Sequence, residues 1–546
     1  MGLLIIPALL VLTLATAAAS AAVSLWWLLA TVPLVFLLAV GVRDFAQSRH
    51  SILRSFPVLG HARFMLEYIR PELQQYFVER NYDGRPFDRD TRTVVYERSK
   101  GIHGEQAFGT ERDVEESGYE FVVHSAAPRE PDTVQPRVLV GGPDCAQPYE
   151  MALLNVSAMS FGALSANAIR ALNRGAAAGG FAHDTGEGGI SPYHREGGDL
   201  VWEIGSGYFG ARTADGDFDP VRFAEKAADP QVKCVELKLS QGAKPGIGGV
   251  LPASKVTPEI AEIRGVPVGV KCISPPAHRV FGTPRELVLF IARMRELAEG
   301  KPTGFKLCVG SRAEILAICK AMIAEGVTPD FIVVDGSEGG TGAAPLEFED
   351  YVGMPLTDGL ITLHNALVGT GLRDRIRIGA SGKIATGMDI VKRIAQGADY
   401  TNAARAMMMA VGCIQAQKCQ TNHCPVGVAT QDPRRYRALE VSDKSERVRR
   451  FQQATVAEAQ QIIAAMGLDG PQALGPAMVN RRVNHHRVRT FAELYEYLEP
   501  GQLLAEAPDS WAADWHAADP DRFGLAQVRL PGARDRREAP TALSGA

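Results

Sequence analysis

No charged residue precedes Arg43. That rules out an ordinary soluble lead, because a water-facing segment of this length carries charge on its outer side. A cleaved signal peptide fits poorly too, since the first residues lack Lys or Arg and the apolar run continues past any cleavable length. Basic excess is also missing. The formal net charge of the 546-residue chain is -4, which leaves no electrostatic footprint for nucleic acid. No GxGxxG follows an early strand-like run, so the dinucleotide fingerprint of an open doubly wound sheet is absent. No cysteine precedes Cys145, and Cys145, Cys234, Cys272, Cys308 and Cys319 are scattered. They read as reduced core residues and not as a secreted disulfide framework.

The uncharged run from position 3 to 42 is about twice the ~20 residues that cross a bilayer once. A turn near Ala19 to Ser24 would make it a two-helix hairpin over residues 1–43. Arg43, Arg49, Arg54, Arg63 and Arg70 follow at once, which predicts a cell-membrane protein with its catalytic body in the cytoplasm. Residues 44–148 form a lead-in, with PELQQYFVER helix-like and TRTVVY (91–96) strand-like.

Hydrophobic residues at 46% and charged residues at 22% describe a globular remainder. From about 150, apolar strand-type runs alternate with amphipathic helices. Eight runs stand out: 153–161, 179–189, 233–240, 267–274, 304–310, 331–340, 376–382 and 398–407. Helices are predicted between the later ones, as in RAEILAICKAMIAEG and GMDIVKRIAQG. Eight strands over some 250 residues is the arithmetic of an α/β (β/α)8 TIM barrel, whose active residues sit at the C-terminal strand ends. Ser157, Glu187, Lys238, Gln241, Asp335, Glu338 and Ser381 fall there. The glycines, 55 in all, cluster in such loops. The loops after the seventh and eighth runs, Ser381-Gly382-Lys383 and Ala403-Ala404-Arg405, have the small residues and cations of a phosphate site, and FMN would fit it.

Cys413, Cys419 and Cys424 stand in GCIQAQKCQTNHCPVGVATQ. Three close thiols ending in Cys-Pro suit an iron–sulfur centre, either [3Fe-4S] or a four-iron core with one open corner. A zinc knot with His423 as fourth ligand is the alternative.

Several strings follow one another in order: NVSAMSFGALS, HDTGEGG, ELKLSQGAKPGIGGVLPASKV, ISPPAHR, DGSEGGTGAAPL, GLRDRIRI and CIQAQKCQTNHCPVGVATQ. Together they closely resemble the FMN-binding synthase domain of glutamate synthase large subunits, over about residues 150–435. The resemblance implies an FMN-bearing barrel with its iron–sulfur loop over 149–435. There 2-oxoglutarate and ammonia condense to 2-iminoglutarate, which reduced FMN converts to L-glutamate with electrons fed by a [3Fe-4S] cluster. It implies Cys413, Cys419 and Cys424 as cluster ligands. By the same resemblance, Lys238, Gln241, Lys244 and Arg264 match family residues around the flavin and oxo acid, and Glu187 matches one near the substrate. Ser157, Ala158, Met159, Ser160, Lys238, Gln241, Ser381, Gly382, Lys383, Ala403, Ala404 and Arg405 are the expected flavin contacts. The chemistry asks for these types: Lys244 and Arg264 to anchor a dicarboxylate, Lys238 to stabilise reduced flavin, Glu187 as a proton donor.

There are departures. Tyr208 stands where the family carries arginine, and Ile247 and Val250 replace two polar groups. Neither the glutaminase domain nor the long C-terminal β-helix of full-length relatives is expected in this chain. Ammonia, an amine or a separate amidotransferase subunit would then supply nitrogen, and a ferredoxin or an NAD(P)H-oxidising subunit the electrons. Alternatives are an N-alkylglutamate synthase or dehydrogenase, a barrel like inosine-monophosphate dehydrogenase, and a non-catalytic membrane electron relay. Residues 436–529 are read as a helical extension whose His485 and His486 are surface or packing residues, and 530–546 as a disordered tail.

Overall fold

The computed structural model describes residues 4–102 and 104–524. The tail expected at 530–546 lies outside the described residues. The chain divides into two compact units, Met1–Asp90 and Thr91–Ala546.

In the first unit, α1 (Ile5–Ala22) and α2 (Leu28–Ala46) are joined by a short turn at Val23–Ser24 and one 3-10 turn, Leu25–Trp27. Both are long and apolar enough to cross a membrane by length and composition, and few of their residues are buried. Their rare polar side chains bond within their own helix, Thr13 Oγ1 donating to the Leu9 carbonyl at 2.6 Å and Thr31 Oγ1 to that of Trp27 at 3.0 Å. A hydroxyl satisfied this way tolerates apolar surroundings. Asp44, buried at the end of α2, accepts from the Val58 N–H and contacts His61 Nε2, each at 2.9 Å, fastening α3 (Gly60–Leu73). The segment 91–96 is not a strand. It belongs to α4 (Arg89–Lys100), where buried Arg92, Val95 and Ser99 recur at helical spacing that outweighs the β-branched composition.

The second unit is built on a closed barrel of eight parallel strands. They are β1 (Leu154–Val156), β2 (His183–Asp184), β3 (Leu200–Ile204), β4 (Val232–Lys238), β5 (Thr303–Leu307), β6 (Phe331–Asp335), β7 (Arg377–Ser381) and β8 (Tyr400–Ala403). Thr401 pairs with Leu154 where β8 meets β1 and closes the ring. Seven of the eight expected runs contain a barrel strand; the fourth does not. Only Cys272 and Ile273 of 267–274 are extended, in a small antiparallel pair with Val250–Leu251 outside the barrel. Gly269 takes a positive φ of 68° and Val268 and Val270 stay exposed, so this run turns away instead of entering the core. Its place belongs to β3, LVWEI, buried at all five positions. Glu203, fourth of its five residues, masks the apolar pattern, because its partner, Lys306, comes from a strand a hundred residues away.

The helices α5 (Ala166–Gly179), α6 (Pro284–Leu297), α7 (Arg312–Glu325) and α8 (Gly387–Ala395) pack outside the ring. The N-terminal ends of the strands are closed by the hairpin Arg137–Val140 with Tyr149–Ala152, whose Val140 and Met151 join Val201, Cys234, Phe331 and Tyr400 in one apolar cluster. Each large side chain fully buried there contributes about 1.5–3 kcal/mol. The extension docks through α9 (Val441–Ala465). A Cβ on Gly175 of α5 would come within 2.7 Å of Val448, and one on Gly387 within 2.6 Å of the Ala459 backbone. Beyond α9, Val479–Asn484 pairs with Arg487–Thr490 and with Glu120–Val122 of the lead-in. His485 and His486 sit exposed at that hairpin's turn, and not on a helix. The candidate residues lie at the opposite, C-terminal ends of the strands.

Candidate active site at the barrel mouth

Lys238 ends β4 with its side chain toward the mouth. Its ammonium donates to Gln241 Oε1 at 2.8 Å and lies 3.3 Å from Glu187 Oε1. Glu187 arrives on the Gly186–Gly189 loop after β2, and its carboxylate fills the space that two glycines leave open. A Cβ on Gly249 would fall 1.7 Å from one carboxylate oxygen, and a Cβ on Gly205 2.5 Å from the other. Burial opposes ionisation of Glu187, yet Lys238, Arg264 and Lys244 outweigh it and hold the carboxyl below the usual range. At neutral pH Glu187 is therefore an anion in this arrangement.

Arg264 is no surface arginine. It is 4% exposed, and its Nη2 donates to Ser160 Oγ at 3.2 Å and to the Phe161 carbonyl at 3.1 Å. The guanidinium lies over the Phe209 ring and its Nε has no partner. Lys244 is also buried, donating to the Ala343 carbonyl at 2.8 Å; burial, then the Lys238 charge, lowers it to about 8. Glu187 from the loop after β2, Lys238, Gln241 and Lys244 from the end of β4 and the loop that follows it, and Arg264 from the end of the helix Pro258–Arg264 thus share one electrostatic site.

The second group gathers beside it. Ser157 follows β1 and its Oγ lies 3.1 Å from Ser381 Oγ at the end of β7. Ala158, Met159 and Ser160 continue from it, and the Gly186 loop packs on their backbone. Gly382 and Lys383 both have positive φ, turning the β7 loop tightly, while Ala403 and Ala404 lead from β8 into Arg405. Arg405 donates to the Glu338 carbonyl on the β6 loop, so part of its fork is already engaged.

Two residues not singled out as site members, His278 and Tyr208, and the strand-end residue Asp335 support the site. His278, from ISPPAHR, donates Nε2–H to the Lys238 carbonyl at 2.8 Å, and its Nδ1 meets the Tyr208 hydroxyl at 3.1 Å. Burial lowers His278 to about 4, so it is neutral, and the Lys238 carbonyl fixes the proton on Nε2. Tyr208 is fully buried and also accepts from the Arg279 N–H, so its hydroxyl serves the scaffold. Asp335 accepts from the Gly242 N–H at 2.8 Å and pins the loop that carries Gln241 and Lys244. The available signal was position at a strand end or inside a motif string, which names no partner.

Beneath the mouth lies a buried charged layer. Lys306 of β5 bonds Glu203 of β3 and lies 3.4 Å from Glu236 of β4, with Asp184 of β2 beside them. Burial, then Glu203, raises Asp184 to about 7, and burial raises Glu236 as well. Lys306 opposes burial with three carboxylates and stays charged. Among the described residues these carboxylates are the one group of three or more ligand types close enough for a single ion, and an ammonium already stands among them.

The three thiols lie past β8. Cys413, Cys419 and Cys424 line one small cavity with Met408, Ile414, Val426 and Val428. Among the described residues they are not drawn together to single-ion distance. Burial pushes the Cys413 thiol up to about 12 and raises Cys419. Asn422 in left-handed conformation turns the loop, its Oδ1 accepting from the Gln431 N–H at 2.7 Å. Gln431 in turn donates to the Gly162 and Leu164 carbonyls, tying the cysteine loop to the segment after Ser160.

Residues 137–469 match the family model described as the conserved region in glutamate synthase. The chain belongs to the glutamate synthase family. It is 37% identical over 487 residues to the glutamate synthase large subunit-like protein YerD of Bacillus subtilis, covering 81% of this chain and 91% of that one. The archaeal-type glutamate synthase [NADPH] of Thermotoga neapolitana is 35% identical over 320 residues, 58% of this chain and 60% of that one. The archaeal glutamate synthase [NADPH] of Methanocaldococcus jannaschii is 33% identical over 324 residues, 58% and 60%. This glutamate synthase-family chain is accordingly an oxidoreductase of the kind that acts on CH–NH2 donors.

Proposed function

We propose that this chain is a membrane-tethered flavin and iron–sulfur oxidoreductase that makes L-glutamate from 2-oxoglutarate and ammonia. The observation that carries the reading is Glu187 lodged between Gly205 and Gly249 against Lys238, with Lys244 and Arg264 acting on the same carboxylate. A site with three cations around one carboxylate has cationic capacity left for a dicarboxylate substrate.

FMN suits the second group of residues. Ser157, Ala158, Met159, Ser160, Gln241 and Lys238 would hold the ring, and Ser381, Gly382, Lys383, Ala403, Ala404 and Arg405 the phosphate. The Ser157 and Ser381 hydroxyls, buried against each other, are suited to polar groups of a bound ligand. When bound, FMN would supply the hydride that reduces the imine. Cys413, Cys419 and Cys424 would hold a [3Fe-4S] cluster, which supplies electrons one at a time. Lys244 and Arg264 bind and orient the oxo acid's carboxylates. Lys238 presents an N–H to the reacting carbonyl or imine, and Glu187 with Gln241 aims that ammonium. His278, through the Lys238 carbonyl, holds the strand end in place. The two apolar helices would tether the enzyme to the cell membrane, with the arginines after them keeping the barrel on the cytoplasmic side.

The test is anaerobic turnover of the purified full-length protein with 2-oxoglutarate and a reduced dye, comparing ammonium, methylamine and glutamine as donors. Glutamate formed from ammonium is the expected product. Flavin and iron present with no amination of 2-oxoglutarate would overturn the reading, and product from methylamine alone would transfer it to N-alkylglutamate chemistry.

A further inference from the structure

Lys255 ends the short helical turn Ala253–Lys255, and its side chain is 2% exposed. The ammonium donates to the Ala163 carbonyl at 2.9 Å. Among the described residues no carboxylate pairs with it. A buried ammonium without an anion is costly, and such groups are paired or absent in ordinary cores. Burial lowers Lys255 to about 8, and the acidic groups within electrostatic reach of it are the thiols of Cys419 and Cys424. Its turn is tied to their loop as well, since Asn422 Nδ2, between those cysteines, donates to the Ser254 carbonyl at 3.0 Å. The protein thus buries a cation beside two thiols and supplies no carboxylate for it.

We propose that Lys255 is the counter-charge of the iron–sulfur core and raises its reduction potential. The inference rests on the cluster assignment made above. A core held by three thiolates is anionic, and more so after it takes up one electron. A fixed cation in a poorly screened interior stabilises the reduced form more than the oxidised one. The step is a one-electron reduction of the core by the enzyme's electron donor, with no bond to the protein made or broken. Lys255 acts through the core and is a positioning residue, not a catalytic one.

The experiment is an anaerobic redox titration of the iron–sulfur EPR signal in the full-length protein, with dithionite as reductant, for wild type, Lys255→Met and Lys255→Arg. The Met variant should keep its iron yet titrate lower: at the wild-type midpoint its reduced-to-oxidised ratio falls about tenfold, which is 59 mV for one electron. The Arg variant should restore most of the shift. Wild-type protein without iron would remove the cluster assignment itself. Iron present with an unchanged midpoint in the Met variant would overturn the role of Lys255 alone. If the Met variant cannot hold the core, retention in the Arg variant with a wild-type-like midpoint supports the counter-charge, and failure of both overturns it.

Discussion

At the barrel mouth one carboxylate, Glu187, meets Lys238, Lys244 and Arg264, whereas in the layer beneath it Asp184, Glu203 and Glu236 share Lys306. The two groups use the same chemistry on adjoining levels of the same strands; Glu236 and Lys238 are two residues apart on one face of β4. Both are desolvated, which by itself drives carboxyl groups toward neutrality. The ratio of signs decides the outcome. Glu187 is held below the ordinary range, and Asp184 is pushed up to about 7. The mouth is poised to receive an anion. The layer below is short of positive charge and holds protons instead.

The contrast is broken most severely by removing the lone cation below. Lys306→Met leaves three buried carboxylates uncompensated, and loss of one partner of a buried pair costs about 3–5 kcal/mol. A large fall in the apparent unfolding midpoint of the full-length protein is expected; an unchanged midpoint would mean the layer is neutral. The matching change at the mouth, Lys238→Ala, should lower turnover by roughly 10²–10⁴-fold with little change in that midpoint, read by the dye-coupled assay beside a thermal melt. Loss of folding in this variant would show that the mouth, too, is structural.

Lys244→Ala should weaken 2-oxoglutarate binding by about 1.5–3 kcal/mol, the scale of a charged hydrogen bond, in a flavin-absorbance titration. Unaltered binding would move the carboxylate anchor elsewhere. The smallest effect is a slope. Asp184 has a folded value near 7, raised from 3.8. The stability it contributes is therefore complete below about 3.8 and fades as pH rises through 7. Glu187, held low, acts in the opposite sense: its contribution is present above 4.5 and is lost as pH falls through its depressed value. Asp184→Asn should flatten the decline in the melting midpoint between pH 4 and 7, and Glu187→Gln should not.

Much of this was legible in the chain. Local periodicity marks the alternation of strands and helices, the uncharged opening marks α1 and α2, and the Cys413–Cys424 spacing marks the thiol loop, because each is written in neighbouring residues. The strand count came out at eight with one member wrong. The run at 267–274 has strand composition but turns outward at Gly269, while Leu200–Ile204 hides its strand character behind Glu203. The mouth residues were legible as strand-end polar groups within motif strings. Their protonation was not, since the low Glu187 depends on Lys238 and Lys244 from β4 and its loop and on Arg264, which the fold brings to the β2 loop.

The sequence by itself determined the class of fold, the order of the loops and the residue types each one delivers. Those follow from short-range propensity, period and spacing. The tertiary structure alone decided which groups meet. It brings His278 to the Lys238 carbonyl, Lys306 to Glu203, and Lys255 to within electrostatic reach of Cys419 and Cys424. These partners are separated by tens to more than a hundred residues. Barrel closure, not any local pattern, sets their distances, and burial then sets their charges.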